Sequence, residues 1–281
     1  MGTLIFLIAF MTEAAFTTYC NLSTFQDLAS NGYVVCSIDH PYHALYTSGD
    51  DGRRITVDPS FLQEVIDVNR GKYDEATQFQ IEQKWLQLRT ADIHFVLDMI
   101  RAQSQDTDVD PVYHRIDLEK IGLMGHSLGG ASSAQVAREQ NDVDAVINLD
   151  ADLYGEYLAY VDGQYVLHDT IYPVPLLTIY ADDMVRLLGA IQDPNDVVAV
   201  KHVITTAPYA YEIHLPSTNH MSLTDLPLIS PFLVSVINAS VPKGGGDARD
   251  AYATIEEMNE IILAFFNAYL KGEGHFSAAG T

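Results

Sequence analysis

The sequence predicts an α/β fold built on a mostly parallel sheet with helices on both faces. Three observations carry this. Short apolar, β-prone runs alternate with longer helical stretches along the chain, which is the pattern of βαβ units. Several of these runs, such as Tyr33-Val34-Val35-Cys36-Ser37-Ile38, are nearly continuously apolar, as strands covered on both sides are. The third is Gly125-His126-Ser127-Leu128-Gly129-Gly130, which stands between one such run and the opening of a helix.

Thr3 to Phe10 is apolar and β-prone, and a polar loop from Met11 to Tyr19 follows. Leu22 to Ser30 reads as a helix stopped by Asn31-Gly32, a residue pair suited to a C-terminal cap. Tyr33 to Ile38 is the second buried strand, with Cys36 expected as a buried thiol. Asp39 to Asp58 reads as loop, punctuated by Gly49, Gly52 and Pro59. A long helix is expected from about Asp74 to Ala102, packing Ile81, Trp85, Leu88, Phe95 and Met99 inward along one face. Ile116 to Met124 contains a buried strand, and Ala131 to Glu139, rich in small residues, a helix. Ala145–Leu149, Pro175–Tyr180 and Tyr211–Leu215 supply the remaining strands. Ala251 to Leu270 closes the chain as an amphipathic helix, with Ile255, Met258, Ile262, Phe265, Phe266 and Tyr269 on or near its apolar face.

Composition narrows the function classes. A length of 281 residues with 48% apolar and 19% charged side chains describes a globular chain with a substantial core. We read residues 1–281 as one domain, with 152–173 as a lid or pocket segment because Tyr154, Tyr157, Tyr160, Tyr165 and Tyr172 crowd it. A net charge of −23 without any basic stripe argues against a nucleic-acid or anionic-membrane partner. Two cysteines make neither a disulfide framework nor a metal cluster. Leu4 to Phe10 lacks the basic start and cleavage site of a signal peptide, so it reads as a core strand, and no run is long enough for a transmembrane segment. A soluble protein is expected, cytoplasmic or secreted, and the oligomeric state is not legible.

The chemistry lies in the glycine-flanked serine. A Gly-x-Ser-x-Gly between strand and helix is a nucleophile elbow, lifting Ser127 Oγ clear of the backbone. The glycines suit a turn with positive φ or one pressed against a neighbouring strand. A serine hydroxyl needs a base to take its proton, and the base needs an anion to fix its tautomer. In the α/β-hydrolase fold, which carries this elbow, the order along the chain is serine, acid, histidine. Among His168, His202, His214 and His220, only His220 follows the last strand in a loop, where the base belongs. For the acid, Asp150 follows the first strand after the nucleophile and Asp182 the next, and residue chemistry leaves them level. Ser127, Asp150, Asp182 and His220 all stand at C-terminal strand ends, where sites of parallel sheets gather.

Several segments together resemble the platelet-activating factor acetylhydrolase family and its bacterial dienelactone-hydrolase-like relatives. They are Gly32-Tyr33-Val34-Val35 ahead of Asp39-His40-Pro41, the Arg89-x-Ala91-Asp92-Ile93 helix, Ile121 to Gly130, Asn148-Leu149-Asp150-Ala151, His220 to Leu226, and Ala264 to Leu270. The resemblance implies an α/β-hydrolase that cleaves carboxylic esters through an acyl-enzyme, without a cofactor or metal. It implies short-acyl or lipid-like esters as small-molecule substrates. It also places the acid in a Leu-Asp-Ala context, which selects Asp150 over Asp182. The oxyanion donors would be the backbone N–H of Leu128 and one from the loop after the first strand, near Thr12 to Ala14, with Ala14 taken as that residue. Here the chain reads Met11-Thr12-Glu13-Ala14-Ala15-Phe16 in place of the relatives' His-Gly-Leu-Gly-like or Pro-Gly-Leu-Gly-like run. Relatives also carry strands ahead of this loop, so the N-terminal part of the sheet is expected to be reduced. Two other readings stand beside this one: a dienelactone-, lipase- or polyester-hydrolase-like enzyme with another ester substrate, and a non-catalytic binding protein on the same fold.

Asp39-His40-Pro41-Tyr42-His43 is too sparse for a metal site and reads as the mouth of the pocket. Leu223 to Ile237 is apolar beyond a loop's needs, as an opposite pocket wall or a lipid-touching patch. Gly244-Gly245-Gly246 is a connector.

Overall fold

The computed structural model describes residues 5–11, 17–49, 51–190, 198–240 and 249–278. Ala14 and the glycine connector at 244–246 lie outside the described residues.

The chain runs β1 (Ile5–Met11), α1 (Leu22–Ser30), β2 (Tyr33–Ile38), β3 (Tyr46–Ser48), β4 (Arg54–Thr56), α2 (Pro59–Asn69) and α3 (Glu75–Gln105). Next come β5 (Ile116–His126), α4 (Leu128–Glu139), β6 (Val143–Leu149), β7 (Tyr157–Val161), β8 (Gln164–Leu167) and β9 (Leu176–Tyr180). The remainder is α5 (Asp182–Ala190), α6 (Ala199–Thr206), β10 (Ala210–His214), α7 (Leu226–Ile229), α8 (Pro231–Ser240) and α9 (Ala251–Phe266).

Six strands form the central sheet in the order β10-β9-β6-β5-β1-β2. Every pairing in it is parallel. Successive residues of β1 point to opposite faces: Leu7, Ala9 and Met11 pack with Ile93, Leu97 and Ile100 of α3, Val136 of α4 and Val203 of α6. Ile8 and Phe10 pack instead with Leu28 of α1 and Met258, Ile262 and Phe265 of α9. Both faces are therefore buried, which explains the continuous apolar runs. Together these features define the α/β-hydrolase architecture expected from the elbow and the alternating strands.

The predicted α1 and β2 limits match the observed ones residue for residue. The cap is as expected, with Asn31 N–H returning to Asp27 and Leu28 carbonyls and Gly32 at φ +84°. The inward stripe expected on α3 is wrong in part. Leu88, Phe95 and Met99 are exposed, Phe95 to 66%. The buried face is Glu82, Trp85, Leu86, Arg89, Thr90, Ile93, Leu97 and Ile100. Three polar residues on that face hid it from a purely apolar count. The stretch 39–58 is not all loop, because β3 and β4 pair as an antiparallel hairpin. Pro59 opens α2 behind the Asp58 cap, whose carboxylate accepts from Ser60 N–H at 2.7 Å. Proline at the first helical position is a start signal rather than loop punctuation. Cys36 is half-buried and Cys20 buried, and no disulfide joins them. No described helix is long and apolar enough to cross a membrane.

Candidate active site

β5 delivers Ser127 at the C-terminal edge of the sheet, and the serine caps α4 with φ 55° and ψ −130°. Such a conformation is costly for a residue with a Cβ, by roughly 1–3 kcal/mol. Neighbours hold it there: Ser127 N–H donates to Leu149 O at 2.8 Å, and Ser127 O accepts from Gly130 N–H at 2.8 Å. The positive φ thus falls on the serine and not on the flanking glycines, whose role is close approach. A Cβ on Gly125 would lie 2.4 Å from Gly129 C, and one on Gly130 would lie 2.2 Å from Asn148 Oδ1. Leu128 opens α4, so its N–H belongs to the first turn, where backbone donors have no intrahelical acceptor and the dipole is positive.

Asp150 follows β6 and is almost completely buried, with φ 57°. Its Oδ1 accepts from Ala181 N–H at 2.7 Å, and its Oδ2 lies 2.7 Å from His220 Nδ1. Asp182, the other candidate, opens α5 and lies 2.7 Å from His214 Nε2. Asp183 accepts from the His220 backbone N–H at 3.1 Å. His220 begins a 3₁₀ turn, His220–Leu223, capped by Asn219 and Ser222, beyond β10. Its ring centroid lies 4.4 Å from that of His126, the residue before Ser127. Ser127, Asp150 and His220 therefore share one edge of the sheet, while Asp182 turns away to another histidine.

An aromatic wall adjoins Leu128. Its side chain packs with Phe61 and Trp85, and Tyr154 leans on the same group. The Phe61 ring stacks flat on His43 at 3.7 Å and meets Trp85 edge-on at 5.5 Å. Trp85 Nε1 donates to Glu64 at 3.0 Å. His43 is pushed down to about 3, by burial first and then by the Arg89 charge. His40, fully buried after β2, is lowered to about 4 by the same causes although Asp92 Oδ2 lies 2.7 Å from its Nδ1. The Asp39–His43 segment thus contributes neutral imidazoles at neutral pH.

In 152–173, β7 and β8 form a hairpin about Asp162 (φ 53°) and Gly163 (φ 81°). This Asp-Gly turn was a readable hairpin signal. Tyr157 packs on Tyr165 at 4.4 Å, Tyr172 donates to Ala134 O at 2.8 Å, and Tyr154 reaches the wall at Leu128. In 223–237, α7 and α8 replace the expected loop, and Ile229, Phe232 and Leu233 are exposed.

Comparison with known proteins agrees with this fold. In fold, the chain is similar to a ferulic acid esterase from Streptomyces cinnamoneus, with a TM-score of 0.71 and 22% identity over 100% of this chain and 72% of that one. Residues 12–278 match the family model for platelet-activating factor acetylhydrolase, isoform II. The chain belongs to that family and is a serine hydrolase of the esterase type, acting on carboxylic ester bonds.

Proposed function

We propose that the ester is cleaved by Ser127, His220 and Asp150 through an acyl-enzyme. The observation that carries this reading is the 2.7 Å contact of His220 Nδ1 with buried Asp150, on the sheet edge that presents Ser127. With Nδ1 given to Asp150, His220 Nε2 takes the proton of Ser127 as Oγ adds to the ester carbonyl. The oxyanion is met by Leu128 N–H and by a second N–H from the loop after β1, for which Ala14 is our candidate. Collapse of the tetrahedral intermediate expels the alcohol, which leaves with the proton from His220. Water then attacks the acyl-serine, giving up its proton to the same nitrogen, and collapse of the second tetrahedral intermediate returns that proton to Ser127 Oγ as the acid is released.

Short-acyl or lipid-like esters are the substrate class we favour, following the family. A dienelactone-, lipase- or polyester-hydrolase-like preference is the alternative. The aromatic wall of Phe61 and Trp85 beside Leu128 adds aromatic acyl esters to the comparison. Segment 152–173 would border the acyl pocket through Tyr154 within a single domain.

The test combines a fluorophosphonate probe with a panel of p-nitrophenyl esters from acetate to palmitate and methyl ferulate. Labelling confined to Ser127 and lost in S127A is expected, with the highest kcat/KM on short chains. Folded protein that is active yet unlabelled at Ser127 would overturn the assignment.

A further inference from the structure

Three strand ends converge on His220. Asp150, after β6, holds the ring through Nδ1 at 2.7 Å. Asp183, after β9, accepts from the His220 backbone N–H at 3.1 Å. His126, the last residue of β5, brings Nε2 to 3.0 Å from the His220 carbonyl oxygen. A carbonyl oxygen can only accept, so the hydrogen of that contact resides on His126 Nε2. His126 is completely buried, and its ring lies tilted by 39° against that of His220.

From these contacts we infer that His126 is a positioning residue for His220, clamping its backbone carbonyl while Asp183 clamps its N–H. The inference rests on the reading of His220 as general base. A hydrogen bond to Asp150 alone would leave the imidazole a hinge about the Nδ1–Oδ2 line. The base also sits in a 3₁₀ turn of four residues, too short for helical cooperativity to hold it. Fixing the peptide groups on both sides of its Cα removes that freedom. Because His126 is the immediate neighbour of Ser127, the clamp ties the base to the nucleophile's own strand. The two reacting groups then move together, and a misplacement of about 1 Å between such groups costs on the order of 10²-fold in rate.

The experiment measures kcat and KM on p-nitrophenyl acetate for wild type, H126L, H126N, H126Q, D183A and D183N, with melting curves for each. For H126L and H126N, kcat should fall on the order of 10²-fold with little change in KM. In H126Q the longer amide can reach the carbonyl, and about tenfold of the loss should return. D183A should lose kcat in the same way, and D183N, which keeps an acceptor oxygen, should recover part of it. Wild-type kcat in H126N, or H126Q no better than H126N, would overturn the clamp. If H126L fails to fold, the Asn/Gln pair and the partly exposed Asp183 carry the test. Retained activity in H220A would instead overturn the base assignment on which the clamp depends.

Discussion

His220 and Asp150 meet across 70 positions of chain, Nδ1 to Oδ2 at 2.7 Å, with the carboxylate 1% exposed and the imidazole 33% exposed. Asp182 makes a contact of the same length with His214. Exchanging either aspartate for asparagine preserves shape and removes charge, so the pair of variants separates the two roles. An amide at position 150 still accepts from Ala181 N–H, but it presents N–H to His220 Nδ1 and favours the wrong tautomer. D150N should therefore lose on the order of 10⁴ in kcat. D182N should stay near wild type, and steady-state kinetics on p-nitrophenyl acetate decide between them.

The elbow depends on two glycines for space. At Gly125 the nearest atoms to an added Cβ are backbone: Gly129 C at 2.4 Å, Gly129 O at 2.5 Å and Gly130 N at 2.8 Å. No rotamer change relieves that, so the turn itself must open. G125A should cost roughly 1–3 kcal/mol, as overpacking does, and abolish fluorophosphonate labelling. A Cβ added to Gly189, within α5, would meet nothing within 4 Å. G189A should leave labelling intact and stabilise by about 0.5–1 kcal/mol, since alanine suits a helix better. Urea unfolding with parallel labelling checks both.

What was legible in the sequence was what local chemistry determines. Asn31-Gly32 stops α1, and Tyr33 to Ile38 is at least half-buried against clusters on both faces, so those limits came out as expected. Ser127 and His220 were singled out by their places in the chain order, and the fold sets both beyond the C-terminal ends of strands. The α3 face was not, because Glu82, Arg89 and Thr90 are buried by tertiary surroundings that no periodicity reveals. The choice between Asp150 and Asp182 was closed to residue chemistry for a similar reason. Both follow strands, and only the fold determines which histidine each one faces. Asp92 likewise reaches His40 across 52 positions. The β7–β8 turn and the Asp58-Pro59 start of α2 were readable signals.

Arg138 on α4 is forked onto Glu156 through Nε and one terminal nitrogen, at 2.6 and 2.7 Å. Their side chains are 10% and 3% exposed. Glu156 follows Tyr154, so this pair anchors the segment that leans on Leu128. Removing one partner strands a buried charge, and E156A should destabilise by about 3–5 kcal/mol. Replacing both with R138M/E156L should cost much less, because no uncompensated charge is left. The pair Lys201 and Glu212, 44% and 42% exposed, is the comparison, and E212Q should change stability by no more than about 1 kcal/mol. Chemical denaturation of the four proteins gives the ranking.

Glu82, on the buried face of α3, has its carboxyl raised to about 7, chiefly by burial, against the Gln78 hydrogen bond and with a further push from Asp152. Its ordinary value is 4.5, so between about 4.5 and 7 the folded protein holds a proton that the unfolded chain has released. Stability must then fall as pH rises through that window and level off above it. At about 1.4 kcal/mol per unit, the loss attributable to Glu82 reaches about 3 kcal/mol by pH 8. His40 and His43, lowered to about 4 and about 3, act with the opposite sign below about 6.5, because the unfolded chain then binds the extra protons. The raw profile therefore mixes the two, and the difference from E82Q isolates the carboxyl. That difference should be small at pH 5 and should grow to its full size by pH 8, with E82Q the more stable protein. Urea titrations at half-unit intervals would show it, and a difference independent of pH would mean that Glu82 is ionised throughout.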